Sequence, residues 1–261
     1  MNADGARPGG TARRDGTSPA LVKVRSVADQ DETPEGETTY KQRPYLPPEG
    51  ATEILLIRHG ASAAFRPGRP FDLVDGQSDP DLAPEGREQA ELLAGRLGGE
   101  RIDAIYVTTL RRTVQTAEPL ARRLGLEPIV ERDMREVHLG EWEGGIFRVK
   151  FAENDPVARR VHEEERWDVI PGAEPAEPFR ARLRAAVDRI AAAHPNGRVA
   201  VFSHGAAIGQ ILADAAGSRP FAFVAPDNCS ISRLVVLNGI WSVRGYNDIA
   251  HLPHGSPAPL T

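Results

Sequence analysis

Two short apolar runs constrain this chain most, Ile54-Leu55-Leu56-Ile57 and Val199-Ala200-Val201-Phe202. Each is unbroken, and each stops at polar residues that end in His-Gly: Arg58-His59-Gly60 after the first, Ser203-His204-Gly205 after the second. A strand with one wet face alternates apolar and polar residues, whereas a short continuous run suits a strand covered on both faces, as in a parallel sheet. Ligands of such sheets collect beyond the carboxyl ends of the strands. Both histidines fall there.

The intervening segments supply the covers. Pro84 opens a helix at its first position, Ala90, Leu93, Ala94 and Leu97 form its apolar face, and Gly98-Gly99 closes it. A second buried strand is expected over 102–107, with Thr108-Thr109 as candidate N-cap of a helix over 110–124. A third short strand follows over 127–130, then a loop-rich stretch over 132–145. Residues 146–178 read as helical pieces capping the sheet. Helices over 179–193 and 206–216 flank the second His-Gly strand, and Asn238-Gly239 marks a hairpin between strands over 230–237 and 241–246. Strands alternating with helices predict an α/β fold, a doubly wound, mostly parallel central sheet flanked by helices.

Residues 1–48 are rich in Gly, Pro, Thr, Asp, Glu and Arg, which bury too little apolar surface to offset ordering entropy. A disordered tail is expected there, with at most a short β segment over 21–24. Pro47-Pro48-Glu49-Gly50 marks its end, so the α/β domain runs over 49–252 and a loose Pro-rich tail over 253–261. The connection over 61–81 is too long for a plain loop and reads as a rim or lid over a site.

A net charge of −5 argues against a general nucleic-acid binder. No stretch reaches the ~18 apolar residues of a membrane span, and no apolar region follows Arg13-Arg14 as a signal peptide requires. Cys229 is the only cysteine, so no intrachain disulfide forms. The expectation is a cytoplasmic protein without nucleic-acid or membrane partners, its oligomeric state left open.

Arg58, His59, Arg112 and His204 can converge at one edge of such a sheet. Two guanidiniums and two imidazoles repel unless an anion joins them, and each cation–anion pair at ~4 Å gains roughly 4 kcal/mol before desolvation at an effective dielectric near 20. Phosphate suits the arginine fork. Arg111 and Arg112 in the first turn of a helix oppose its dipole, a cost of about 0.3–1 kcal/mol each that an anion bound at the same terminus offsets.

These motifs resemble the histidine phosphatase superfamily, also called phosphoglycerate mutase-like, and its phosphatase branch in particular. Arg58-His59-Gly60 closes an apolar strand, and the run from Gly76 to Ala90 looks like the segment leading into the family's first helix. Thr108-Thr109-Leu110-Arg111-Arg112-Thr113 is similar to its second-arginine motif, Met134-Arg135-Glu136-Val137-His138 to its acid-bearing loop, and Ser203-His204-Gly205 to its second histidine. The resemblance covers about residues 53 to 247. It implies a nucleophile at His59, phosphate contacts from Arg58, Arg112 and His204, and a general acid and base at Glu136. Ser62, Gly205 and Asn228 are candidates for lining the site. No metal and no cofactor are implied, and the partner is a small phosphorylated substrate.

Where many members carry an asparagine five residues beyond the glycine of the first motif, Phe65 stands here, and Ala61-Ser62 replaces the usual pair after that glycine. The acid loop lacks the Arg-His-Tyr-Gly pattern of cofactor-dependent phosphoglycerate mutases. The resemblance therefore favours a phosphomonoesterase, with a mutase as the alternative and a non-catalytic phosphate-binding module as a third reading.

Overall fold

The computed structural model describes residues 28–32, 38–42 and 44–253. Contacts divide the chain into a unit ending at Leu46 and a unit beginning at Pro47. In the first, Ala28–Glu32 (β1) pairs antiparallel with Thr38–Gln42 (β2), so ten residues of the expected tail form a ribbon. Thr38, Thr39 and Tyr40 supply the β-branched and aromatic types that favour extended pairing. The segments 21–24 and 254–261, read above as a short β segment and a loose tail, lie outside the described residues.

The second unit follows the order β3 (Thr52–Arg58), β4 (Leu73–Val74), β5 (Gln77–Ser78), α1 (Pro84–Leu97), β6 (Ala104–Val107), α2 (Arg111–Leu124) and β7 (Ile129–Val130). It continues through α3 (Ile146–Ala152), α4 (Pro156–Glu164), α5 (Ala176–Ala193), β8 (Arg198–Ser203), α6 (Gly205–Ala216), β9 (Ile231–Leu237) and β10 (Ile240–Asp248). Six strands form one sheet in the order β10-β9-β3-β8-β6-β7. β3, β8, β6 and β7 run parallel, and only β9 runs against them. The fold is the doubly wound, mostly parallel one expected from the sequence.

The apolar runs sit at its centre because their alternate side chains feed two cores. Ile54 and Leu56 pack with Phe179, Leu183 and Val187 of α5 and Ile208 and Ile211 of α6, whereas Leu55 and Ile57 pack with Leu93 and Leu97 of α1 and Leu120 of α2. Fully burying a side chain of this size stabilises by about 1.5–3 kcal/mol, so neither face can be left wet. Register then sets the site. Arg58 pairs with Ser203, and Val107 pairs with Phe202. His59, His204 and Thr108 are thus the first residues beyond three neighbouring strands.

Local chemistry explains most boundaries. Asn238 and Gly239 both have positive φ, 50° and 73°, the type I′ turn that matches hairpin twist. The 61–81 connection, read above as a rim or lid, contains the small β4–β5 pair. Thr108 and Thr109 do not cap α2: Thr108 Oγ1 is occupied by Thr113 Oγ1 and His204. Instead Asp79 Oδ1 accepts from the Arg111 backbone N–H at 2.7 Å, a cap delivered from the 61–81 segment. Among the described residues no helix is long and apolar enough to cross a membrane.

The chain leaves β3 by passing directly against α1. A Cβ on Gly60 would stand 2.6 Å from the Gly86 carbonyl oxygen, and one on Gly86 would collide with the backbone of Ala61. Gly86→Ala is expected to cost about 1–3 kcal/mol through overpacking, read as a fall in the thermal midpoint. Gly95→Ala in the same helix meets nothing within 4 Å and should instead stabilise by roughly 0.5–1 kcal/mol. Equal midpoints for the two variants would show that this close approach is not needed.

Candidate active site

The turn after β3 is tied down by nearly every polar group it has. His59 N–H donates to Ser203 O at 3.0 Å, Gly60 N–H to Thr116 Oγ1 at 3.0 Å and Ala61 N–H to Gln89 Oε1 at 2.9 Å. Asn228 Nδ2 donates to His59 O at 2.8 Å, and Cys229 N–H to Arg58 O at 3.0 Å. Asn228 thus acts on the backbone of His59 as well as lining the site.

His59 Nδ1 lies 2.8 Å from Gly60 O. A carbonyl only accepts, so the proton resides on Nδ1 and the lone pair on Nε2. Burial, then the Arg112 and Arg58 charges, hold the His59 pKa well below the ordinary imidazole value. The ring is therefore neutral at pH 7. His204 is fully buried beside it, ring centroids 5.3 Å apart, and burial, Arg112 and His59 keep it neutral too. His204 Nε2 is 3.1 Å from Thr108 Oγ1, while its Nδ1, like Arg58 Nε, is buried with no partner among the described residues. Such orphaned groups cost about 1–3 kcal/mol each unless a ligand or water meets them.

Three guanidiniums surround this pair, each bonded to neutral acceptors. Arg58 Nη1 donates to Pro226 O at 2.5 Å and Arg112 Nη1 to Ser78 O at 2.8 Å. Burial pushes the Arg112 pKa down to about 10, which still leaves it charged at neutral pH. Arg111, its neighbour in the first turn, points elsewhere and pairs with Asp79 at 2.8 Å. The third guanidinium was not anticipated: Arg148 of α3 donates to Ala63 O at 2.7 Å and to Ser62 Oγ at 2.8 Å.

Glu136 completes the site from the far side of the sheet edge. Its Oε1 accepts from the N–H groups of Ala207 at 3.0 Å and Val137 at 3.1 Å, and its Oε2 from Ala206 at 3.1 Å. The carboxylate therefore lies on the first turn of α6, where the helix dipole favours negative charge. Its backbone is fixed as firmly. Glu136 O accepts from Gln77 Nε2 and Arg182 Nη2, both at 2.7 Å. Arg182 also donates to Asp133 O and Arg135 O and pairs with Glu174. Glu143 accepts from Ser78 N–H, Ser78 Oγ and Leu139 N–H, which binds the acid loop to β5.

Arg148, Arg182 and Gln77 escaped the sequence reading. Arg182 left a signal: it sits three residues after Phe179 and four before Ala186 on the buried face of α5, where a lone charge needs partners.

Arg58, His59, Arg112, Glu136, Ser62, Gly205 and Asn228 all line one cavity of about 400 Å³. His204 stands beside His59 without reaching the cavity wall. Among the described residues no group of three or more His, Cys, Asp and Glu side chains could hold a metal ion.

Residues 54–249 match the histidine phosphatase superfamily, branch 1. The chain belongs to that superfamily. It is 31% identical over 207 residues to phosphoglycerate mutase-like protein 4 of Arabidopsis thaliana, covering 77% of this chain and 86% of the relative. It is 32% identical over 152 residues to phosphoserine phosphatase 1 of Hydrogenobacter thermophilus, covering 58% and 70%. The structure of a mycobacterial glucosyl-3-phosphoglycerate phosphatase superposes with a TM-score of 0.63 at 27% identity, covering 76% of this chain and 99% of that one. With phosphatases among its sequence relatives and its structural neighbours, this superfamily member is a phosphatase.

Burying His59 and His204 neutral has a sign that can be measured. Both folded-state pKa values lie below the unfolded value near 6.5, so below that pH the unfolded chain binds protons that the folded one refuses. Stability should be full above pH ~6.5 and fall as the pH drops beneath it. Thermal midpoints at pH 7.5 and 5.5 should differ more for the wild type than for His204→Gln. Equal slopes would mean that His204 takes its proton in the folded state.

Proposed function

We propose that the protein is a metal-independent phosphomonoesterase working through a phosphohistidine on His59. The observation that carries this reading is the locked tautomer: Nδ1 is committed to Gly60 O, so Nε2 is the free nucleophilic nitrogen of a neutral ring that lines the cavity.

In the first step His59 Nε2 forms a bond to phosphorus while the bond from phosphorus to the ester oxygen breaks. Glu136 gives its proton to that departing oxygen, and the alcohol leaves. In the second, water attacks phosphorus, Glu136 takes the water's proton, and the P–N bond breaks to release phosphate and neutral His59. Phosphoryl transfer spreads charge over three equatorial oxygens, so fixed cations and donors dominate its catalysis. Arg58 and Arg112 supply the charge in this reading, the unpartnered Nε of Arg58 is a donor reserved for the oxygens, and His204, outside the cavity wall, positions the His59 ring. A cytoplasmic setting belongs to the same reading. Cys229 is buried, and burial pushes its thiol up to about 12, away from thiolate chemistry.

The relative named a phosphoglycerate mutase-like protein keeps one alternative in view, return of the phosphoryl group to substrate rather than to water. Phosphate release from p-nitrophenyl phosphate without any bisphosphoglycerate separates the two. His59→Ala should abolish turnover and the acid-labile phosphoenzyme together, with the thermal midpoint close to wild type. Near-normal turnover in that variant removes the nucleophile. Glu136→Gln should slow alkyl phosphates by about 10²–10⁴ and p-nitrophenyl phosphate far less, because that leaving group needs no proton. EDTA should leave the rate unchanged.

A further inference from the structure

Beyond the phosphate end, the cavity has a second character. Phe147 and Phe151 of α3 and Trp142 and Trp167 beside it also line it, joined by Val224 and Phe71. These rings support one another. The Phe147 and Phe151 centroids are 4.3 Å apart, Trp142 meets Phe151 edge-on at 6.1 Å, and Phe147 lies 6.2 Å from Trp167. Buried Phe221 backs Trp167 at 4.9 Å, with Val161 and Ile170 in the same cluster. The result is a fixed aromatic wall rather than a loose surface.

Most polar groups near the wall are already engaged, the exception being Gln77 Oε1, which is buried with no partner among the described residues. Both Glu143 oxygens accept hydrogen bonds from Ser78 and Leu139, and both terminal nitrogens of Arg148 donate to Ala63 O and Ser62 Oγ. Little remains to recognise a polyol. Charge is also balanced. The three guanidiniums of Arg58, Arg112 and Arg148 face the carboxylates of Glu136 and Glu143 in the same cavity, so one phosphate dianion already more than balances them. A second anion on the substrate would have no surplus cation. At about 400 Å³ the cavity exceeds a phosphate ion and falls within the ~300–1,000 Å³ of small-molecule sites.

We infer that the substrate is a monoester of an uncharged, largely apolar alcohol whose flat or ring-bearing body stacks against Phe147, Phe151 and Trp167. This deepens the esterase reading above and rests on it. Esters of similar leaving-group basicity test it: 3-phenylpropyl phosphate against propyl phosphate, glycerol 3-phosphate and O-phosphoserine. The phenyl ester should exceed each of the others in kcat/KM by about tenfold or more, the range that added apolar contacts supply in a hydrophobic pocket, chiefly through KM. Phe147→Ala and Trp167→Ala, assayed well below their lowered thermal midpoints, should bring its advantage over propyl phosphate to within about threefold. A phosphoserine or glycerol phosphate preference overturns the inference and makes Arg148 the reader of a polar substrate. Calorimetry with 3-phenylpropylphosphonate and propylphosphonate reads the pocket without turnover. Equal affinities overturn it, whereas tighter binding of the phenyl compound without ester hydrolysis upholds the pocket and sinks the esterase.

Discussion

The constraint on which everything else rests is the parallel register of β3, β8 and β6. Pairing Arg58 with Ser203 and Val107 with Phe202 brings three strand ends to one level. It sets two imidazoles from residues 145 positions apart in sequence within 5.3 Å of each other. A one-residue slip would reverse which core each side chain enters, so the packing that makes the fold also makes the site. The hydrophobic cores thereby hold the chemistry in place without touching it.

What the cores hold is electrostatically costly. Three guanidiniums crowd two neutral imidazoles; burial lowers the pKa of Arg58, Arg112 and Arg148, and the guanidiniums' mutual repulsion adds to it for Arg112 and Arg148. Their first hydrogen bonds go to carbonyl or hydroxyl oxygens, which orient a cation without neutralising it. A site paired with its own carboxylates would be more stable and less ready for an anion. Preorganised donors of this kind act without reorganising during the reaction, and the offset comes from the two apolar layers around the sheet. Arg111 shows the contrast. It lies one residue from Arg112, and its guanidinium is paired with Asp79, the same carboxylate that caps α2 through the Arg111 backbone N–H.

Much of this was legible in the chain. Continuous apolar runs buried on both faces, Pro84 at a helix start and the Asn238-Gly239 turn are local signals, and the elements they mark are present. Arg58, His59, Arg112 and His204 could be picked out because each sits where a strand or helix meets a loop, whereas Glu136 was marked only by the resemblance of its motif to the family's acid-bearing loop. Arg148 and Gln77 could not, since their positions depend on loops folding over the sheet edge. The N-cap of α2 failed for the same reason. Thr108 and Thr109 satisfy the local rule, but Thr108 is drawn into the buried bond with Thr113 and His204, and Asp79, 32 residues before the helix start, takes the capping place. Local rules hold until a tertiary partner offers a better acceptor.

Phe65 illustrates how such a departure reshapes a site. A Cβ on Gly145 would run into its ring, so the glycine at the start of α3 exists beside an aromatic that has claimed the space. Phe65 also meets Phe71 edge-on at 5.7 Å, and Phe71 lies under Arg148 at 5.2 Å. The rim after β3 and the start of α3 are therefore packed as one body, and Arg148 enters the cavity between them. Ser78 bridges this body to the acid loop through Glu143 and the Gly144 N–H. Glu136 and the aromatic wall consequently share one support. The link runs through β5: Gln77 donates to Glu136 O while its neighbour Ser78 holds Glu143, so one short strand braces both the acid loop and the start of the wall.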